Sequence, residues 1–150
     1  MDNQVSQPLH GELQCYPVRL RPGQEVSSVL ASFVRQHSLT SAHVLTCVGS
    51  VTQARLRMAN AQVTQDFEGP FEIVSLVGTL SGGEAGHLHV SLSDAKGNVI
   101  GGHVISMTVF TTAEVMIGNC KGVKFSRPDD PETGYDELAF EQSADAVAGK

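Results

Sequence analysis

Two short stretches hold the residues best suited to chemistry. Gly86-His87-Leu88-His89-Val90 is followed by Gly101-Gly102-His103-Val104. On a strand, residues two apart share a face and lie about 7 Å from one another along the chain. His87 and His89 therefore point one way, and Leu88 and Val90 the other. Between the stretches, Asp94-Ala95-Lys96-Gly97-Asn98 reads as a hairpin turn. A three-residue loop with Gly97 supplying the positive φ of a G1 bulge pairs Asp94 with Asn98. That register puts His89 opposite His103 and leaves His87 diagonal to His103 on the same face. Three imidazoles converging with an open fourth position is the geometry of a catalytic-type zinc site. A further bulge at Gly101-Gly102 would shift the register. Two histidines in alternate strand positions also serve as polar groups on a solvated face or as part of a subunit contact. Imidazole suits zinc, nickel and copper alike, so the spacing does not name the metal.

Other candidates carry less. Glu84 lies close in sequence to the histidine pair, and Glu114 sits inside an apolar strand. Either is a weak candidate for a general base beside a metal, and a surface or interface carboxylate is the plainer reading of both. Arg55 and Arg57 share one face of a strand, opposite Leu56. They suit contact with an anion or a partner chain, or simply a solvated face. Residues 78–86 are glycine-rich but lack the Lys-Ser/Thr ending of a phosphate-binding loop, so a turn is expected there. His10, His37 and His43 have no comparable neighbours.

The elements that must position these residues follow from periodicity. Residues 14–20 alternate, with Tyr16, Val18 and Leu20 on one face, and Pro17 places this strand at a sheet edge. Val26, Val29, Leu30, Phe33 and Val34 follow helical spacing. Residues 44–48 are nearly all apolar, as in a strand covered on both faces. Gly49-Ser50 interrupts them, and residues 53–58 alternate again. Residues 61–68 are ambiguous. Strands are expected over 70–80, 86–93, 99–105 and 108–119. One helix followed by many strands indicates an α+β fold with a largely antiparallel sheet. Residues 1–12 and 139–150 are expected to be flexible tails around a single domain at 13–138.

With 150 residues, the chain is long enough to bury a core without staples. It carries 10 Lys and Arg against 16 Asp and Glu, a formal net charge of -6, with no basic run. Proteins that hold duplex DNA unaided usually present a basic stripe, because neutralised phosphates supply much of the affinity. Strong autonomous DNA binding is therefore not expected. Cys15, Cys47 and Cys120 have neither disulfide nor zinc-finger spacing, and read as buried reduced thiols. Residues 1–9 lack a signal-peptide pattern, and no apolar run reaches the roughly 18 residues of a membrane span. A cytoplasmic or nuclear location is expected.

Beyond these local features, Gly69-Pro70-Phe71-Glu72-Ile73-Val74-Ser75-Leu76 resembles the Gly-Arg-Phe-Glu-Ile-Leu-Ser-Leu signature of the PPC (plant and prokaryote conserved) domain. Gly97-Asn98-Val99-Ile100-Gly101-Gly102, Val115-Met116-Ile117-Gly118 and Thr133-Gly134-Tyr135-Asp136-Glu137-Leu138 fit the same family in order. The resemblance spans about residues 13–138. It implies a homotrimer with a largely antiparallel sheet beside one helix. Plant members place the domain after AT-hook motifs that contact DNA, and the domain itself drives trimerisation and partner binding. This chain has no Arg-Gly-Arg-Pro hook, and Pro70 stands where the signature has Arg. DNA contact is therefore expected to be weak or indirect, with other PPC-domain or regulatory proteins as further partners. Stand-alone prokaryotic-type members often carry a His-x-His and a later His associated with a metal, commonly zinc, and His87, His89 and His103 match these.

The expectation is thus a trimeric module binding Zn2+ through three histidines, in a family described as DNA-binding or transcription-related. Three-fold closure would bury apolar strand surface and protect edge strands. The reading leans away from an enzyme. Two alternatives stay open. One is a zinc-dependent hydrolase-type enzyme, with Glu84 or Glu114 as base. The other is a metal-free protein-interaction module.

Overall fold

A computed structural model describes residues 8–83 and 86–143. The chain runs β1 (Glu12–Leu20), α1 (Val26–Gln36), β2 (Ala42–Arg57), β3 (Thr64–Thr79), β4 (His87–Ser93) and β5 (Val99–Lys121). Four short strands follow: β6 (Val123–Ser126), β7 (Asp129–Asp130), β8 (Tyr135–Asp136) and β9 (Ala139–Gln142). The main sheet has the order β1-β5-β2-β3-β4, every pairing antiparallel. β4 also pairs with the start of β5, so the sheet closes on itself through β2, β3, β4 and β5. This is the expected α+β class: one helix beside a largely antiparallel sheet.

Closure requires long strands that bend. β2 and β5 are each continuous where the sequence suggested a break at Gly49-Ser50 and another near residue 106. Register shifts between Val44/Thr46, Gly49/Val51, Val51/Gln53 and Arg55/Leu56 take up the curvature without ending the strands. The ambiguous residues 61–68 resolve the same way: β3 begins at Thr64 and pairs with Arg57.

The core lies between the helix and the inner face of the sheet. Val26, Leu30 and Val34 of α1 are buried, as their spacing dictates. Glu25 caps the helix, with its carboxylate accepting from Ser27 N (3.0 Å) and Ser28 N (2.7 Å). The same carboxylate accepts from Met107 N at 3.0 Å, which ties the helix start to β5.

Two expectations need correction. Cys15 is exposed, not buried, because edge strand β1 turns it away from the helix while Tyr16 packs on Phe33. Residues 139–142 are not a tail, because they pair with β6 as β9. At the other end, residues 8–11 precede β1 with no assigned element, and the expected tails at 1–7 and 144–150 lie outside the described residues. No helix among the described residues is long and apolar enough to cross a membrane.

Candidate metal centre

Alternation in β4 sends Leu88, Val90 and Leu92 into the core and leaves His87 and His89 on the outer face. On β5, Val104 is buried and His103 points outward beside them. The turn fixes the register as expected. Asp94 N donates to Asn98 O (2.9 Å), Gly97 N donates to Asp94 O (3.0 Å), and Gly97 has φ 82°. The Asp94 carboxylate also accepts from Lys96 N (2.8 Å) and Asn98 N (2.9 Å), so the loop is locked by its own side chain. His89 faces His103, and the pairing runs unshifted from there to Ser93↔Val99; no bulge intervenes at Gly101-Gly102. Gly78 lets β3 approach β4 here. Its φ is +134°, and a Cβ would collide with the His87 carbonyl oxygen.

The three rings form a compact triangle, with centroids 5.1 Å (His87–His89), 5.2 Å (His87–His103) and 5.5 Å (His89–His103) apart. One nitrogen from each lies within 4.8 Å of the others. His87 Nε2 and His89 Nε2 are 3.1 Å apart. Tetrahedral zinc with Zn–N bonds of about 2.0–2.1 Å sets its ligand nitrogens about 3.3 Å apart, so this pair is already at coordinating separation. His103 Nδ1 is buried and has no hydrogen-bond partner among the described residues. A buried polar nitrogen left unpaired is unfavourable, and a cation at that nitrogen would supply the missing partner. The donor set fits a divalent metal.

Electrostatics keep two of the imidazoles neutral. Burial, then the Arg57 guanidinium and the neighbouring histidines, push His103 down to about 4. Burial, then Arg127 and His89, lower His87. Neutral imidazole is the coordinating form, so both rings are free to bind metal at neutral pH without first losing a proton. Arg127 Nη2 lies 3.4 Å from His87 Nδ1. An arginine only donates, so in the metal-free protein Nδ1 accepts and the ring proton sits on Nε2; coordination through Nε2 would require that proton to move to Nδ1 and the Arg127 contact to give way.

A cleft of about 530 Å³ opens over His87 and His103, bounded by Arg57, Arg127, Tyr135, Asp136 and Glu137. Its far wall comes from the C-terminal segment. Arg127, whose side chain is only 8% exposed, binds the Asp136 carboxylate at 3.0 Å and carbonyl at 2.7 Å, with Glu137 4.0 Å away. These wall residues had no site signal in the sequence. They reach the histidines only through the fold, and a lone Arg before Pro128 looks like any loop residue.

Of the two expected carboxylates, Glu114 is not brought to the site. Glu114 is exposed farther along β5, opposite Val48 and Arg19, and its near neighbour is Cys47. Residue 114 faces out there because Ala113 and Val115 fill the core. Glu84 lies outside the described residues. Burial, with the Glu114 charge, pushes the Cys47 thiol up to about 11, which makes it inert.

Comparison with known proteins agrees with this architecture. The bifunctional protein GlmU of Synechococcus sp. (strain JA-3-3Ab) is 41% identical over 143 residues, covering 94% of this chain and 23% of GlmU. The chain thus spans about a quarter of the length of the curated relatives it matches. A solved hypothetical protein from Salmonella enterica superposes with a TM-score of 0.84 at 41% identity, over 89% of this chain and 97% of that one. A solved metal-containing protein from Archaeoglobus fulgidus superposes with a TM-score of 0.78 at 26% identity, over 89% and 99%. The sequence pattern of one family extends over residues 10–121, from just before β1 to the end of β5, and so takes in the whole main sheet and all three histidines. The chain belongs to the Plants and Prokaryotes Conserved (PCC) domain family.

Proposed function

We propose that this PCC domain is a metal-binding module that holds one zinc ion per chain through His87, His89 and His103. The observation that carries this reading is the convergence of three imidazole nitrogens within 4.8 Å of one another on one sheet face. The unpaired His103 Nδ1 and the depressed basicity of His87 and His103 support it. So does the similarity to a metal-containing protein. Bound there, zinc would act as a Lewis acid with a coordination position left for a ligand. Around it, His87 and His89 are held by β4, His103 by the paired start of β5, and Arg127 by its two carboxylate partners. Asp136 and Glu137, the described carboxylates of the cleft, are both engaged by Arg127, so the role assigned is binding rather than a reaction.

The proposal includes self-association as the homotrimer that the family resemblance implies. Exposed Leu45 and Val48 on β2, Val74 and Val77 on β3, and Ile105 and Phe110 on β5 offer apolar strand surface for it. Autonomous duplex-DNA binding is left out, in keeping with a net charge of -6. The test is calorimetric titration of metal-free protein with zinc, comparing wild type with His103→Ala. Wild type is expected to bind one equivalent, and the variant to lose affinity by at least about a hundredfold, about 2.8 kcal/mol. Equal binding by both would exclude His103 as a ligand.

A further inference from the structure

We infer that Arg57 is the recognition group for a small oxyanion, a carboxylate or phosphate group on a ligand that enters the cleft beside the three histidines. The inference rests on the metal reading of the site and names the chemistry of what that site takes. Strand register carries it. His89 of β4 faces His103 of β5, and His103 faces Arg57 of β2. The three side chains form one row across three strands, with cross-strand neighbours about 5 Å apart at Cβ. Leu56 and Val104, the adjacent pair, are buried, so Arg57 and His103 stand together on the outer face and both line the cleft.

The charges around this row are unequal. Arg55 pairs with Asp66 at 3.6 Å, and Arg127 is occupied by Asp136 and Glu137. Arg57 forms no ion pair among the described residues and is half-buried at the edge of the cleft. Its positive charge acts on His87 and His103, so its field reaches the triad. A guanidinium beside a cation-binding triad is repulsive unless an anion bridges the two. Arginine presents planar paired donors that match a carboxylate or phosphate bidentately, while neutral imidazoles bring no negative charge of their own. The cleft carboxylates cannot serve, because Arg127 holds both. The two arginines and two carboxylates of the cleft balance, so a divalent cation on the histidines would leave a local positive charge beside Arg57, in a cleft large enough for a small molecule.

The experiment uses the full chain loaded with one equivalent of zinc and dialysed. Inorganic phosphate is titrated by calorimetry into wild type, Arg57→Gln and Arg57→Lys, with zinc content measured on each. Wild type is expected to bind phosphate, Arg57→Gln to bind at least about tenfold more weakly, and Arg57→Lys to fall between them, with zinc content unchanged. Phosphate affinity equal in wild type and Arg57→Gln overturns the inference, as does no binding by wild type up to about 10 mM. If the chain takes up no zinc, the metal reading fails by itself. The same titration of metal-free protein then decides the role of Arg57.

Discussion

The β4–β5 hairpin and the segment 123–142 face each other across one cleft, but they are assembled by different kinds of contact. The hairpin supplies His87, His89 and His103 from within one local turn, and a single side chain, Asp94, holds its register. The C-terminal segment supplies Arg127, Tyr135, Asp136 and Glu137, and meets the histidines only through long-range packing across the closed main sheet. Its own pairings are short: four residues in β6 and β9, two each in β7 and β8. Ligand geometry therefore belongs to a rigid, locally encoded element, and the shape of the cleft to a weakly paired one. Metal binding and ligand selection should accordingly respond to different mutations.

The largest expected effect breaks the hairpin side. Gly78→Ala places a methyl group against the His87 carbonyl oxygen at a φ of +134°. It should cost about 3 kcal/mol or more in a urea titration, and zinc affinity should fall with stability because β4 must move. A variant as stable as wild type would show that β3 does not set the position of His87.

A smaller effect isolates the other wall. Arg127→Gln removes the bond to the Asp136 carboxylate and leaves exposed acids behind. About 1–2 kcal/mol of local stability should be lost, seen as faster proteolysis within residues 127–137. Zinc affinity should stay within about threefold of wild type, because no ligand sits on that segment. A hundredfold loss of zinc affinity would make the two regions one cooperative unit and end the distinction.

The smallest expected effect concerns pH, and it sharpens the same contrast. In metal-free protein, His103 takes its proton only near pH 4, whereas an unfolded histidine does so near its ordinary value of 6.5. Its folded-state value is depressed, so the stability it contributes is fully present above pH 6.5. That stability is lost as pH falls toward 4, where the unfolded chain binds a proton that the native chain refuses. His87 acts in the same direction. The melting temperature of metal-free wild type should therefore fall between pH 6.5 and 4, and that of His103→Gln should fall less. Identical pH profiles would mean that His103 titrates freely in the folded protein.

How much was legible in the sequence follows the same division. The helix, the strand alternation and the hairpin register could be read because each depends on residues a few positions apart. Gly97 and Asp94 specify the turn, and the turn places His89 against His103. The continuity of β2 and β5 could not be read, since bulges hide in a sequence as breaks in alternation. The cleft wall could not be read either. Nothing near Arg127 announces that it will lie 3.4 Å from His87, because that contact exists only through the closed sheet. Arg57 was visible as a charge on a strand face, but its neighbour His103 came only with the β2–β5 pairing. Glu114 is a candidate only because it stands in an apolar strand, and that setting does not imply spatial approach to the histidines.

Native mass spectrometry of untagged protein purified without added metal tests the metal centre most directly. We expect a trimer carrying one zinc per chain, with the metal lost from His103→Ala under the same conditions. A chain that remains metal-free after zinc is added would contradict the assignment of His87, His89 and His103 as metal ligands, whatever its oligomeric state.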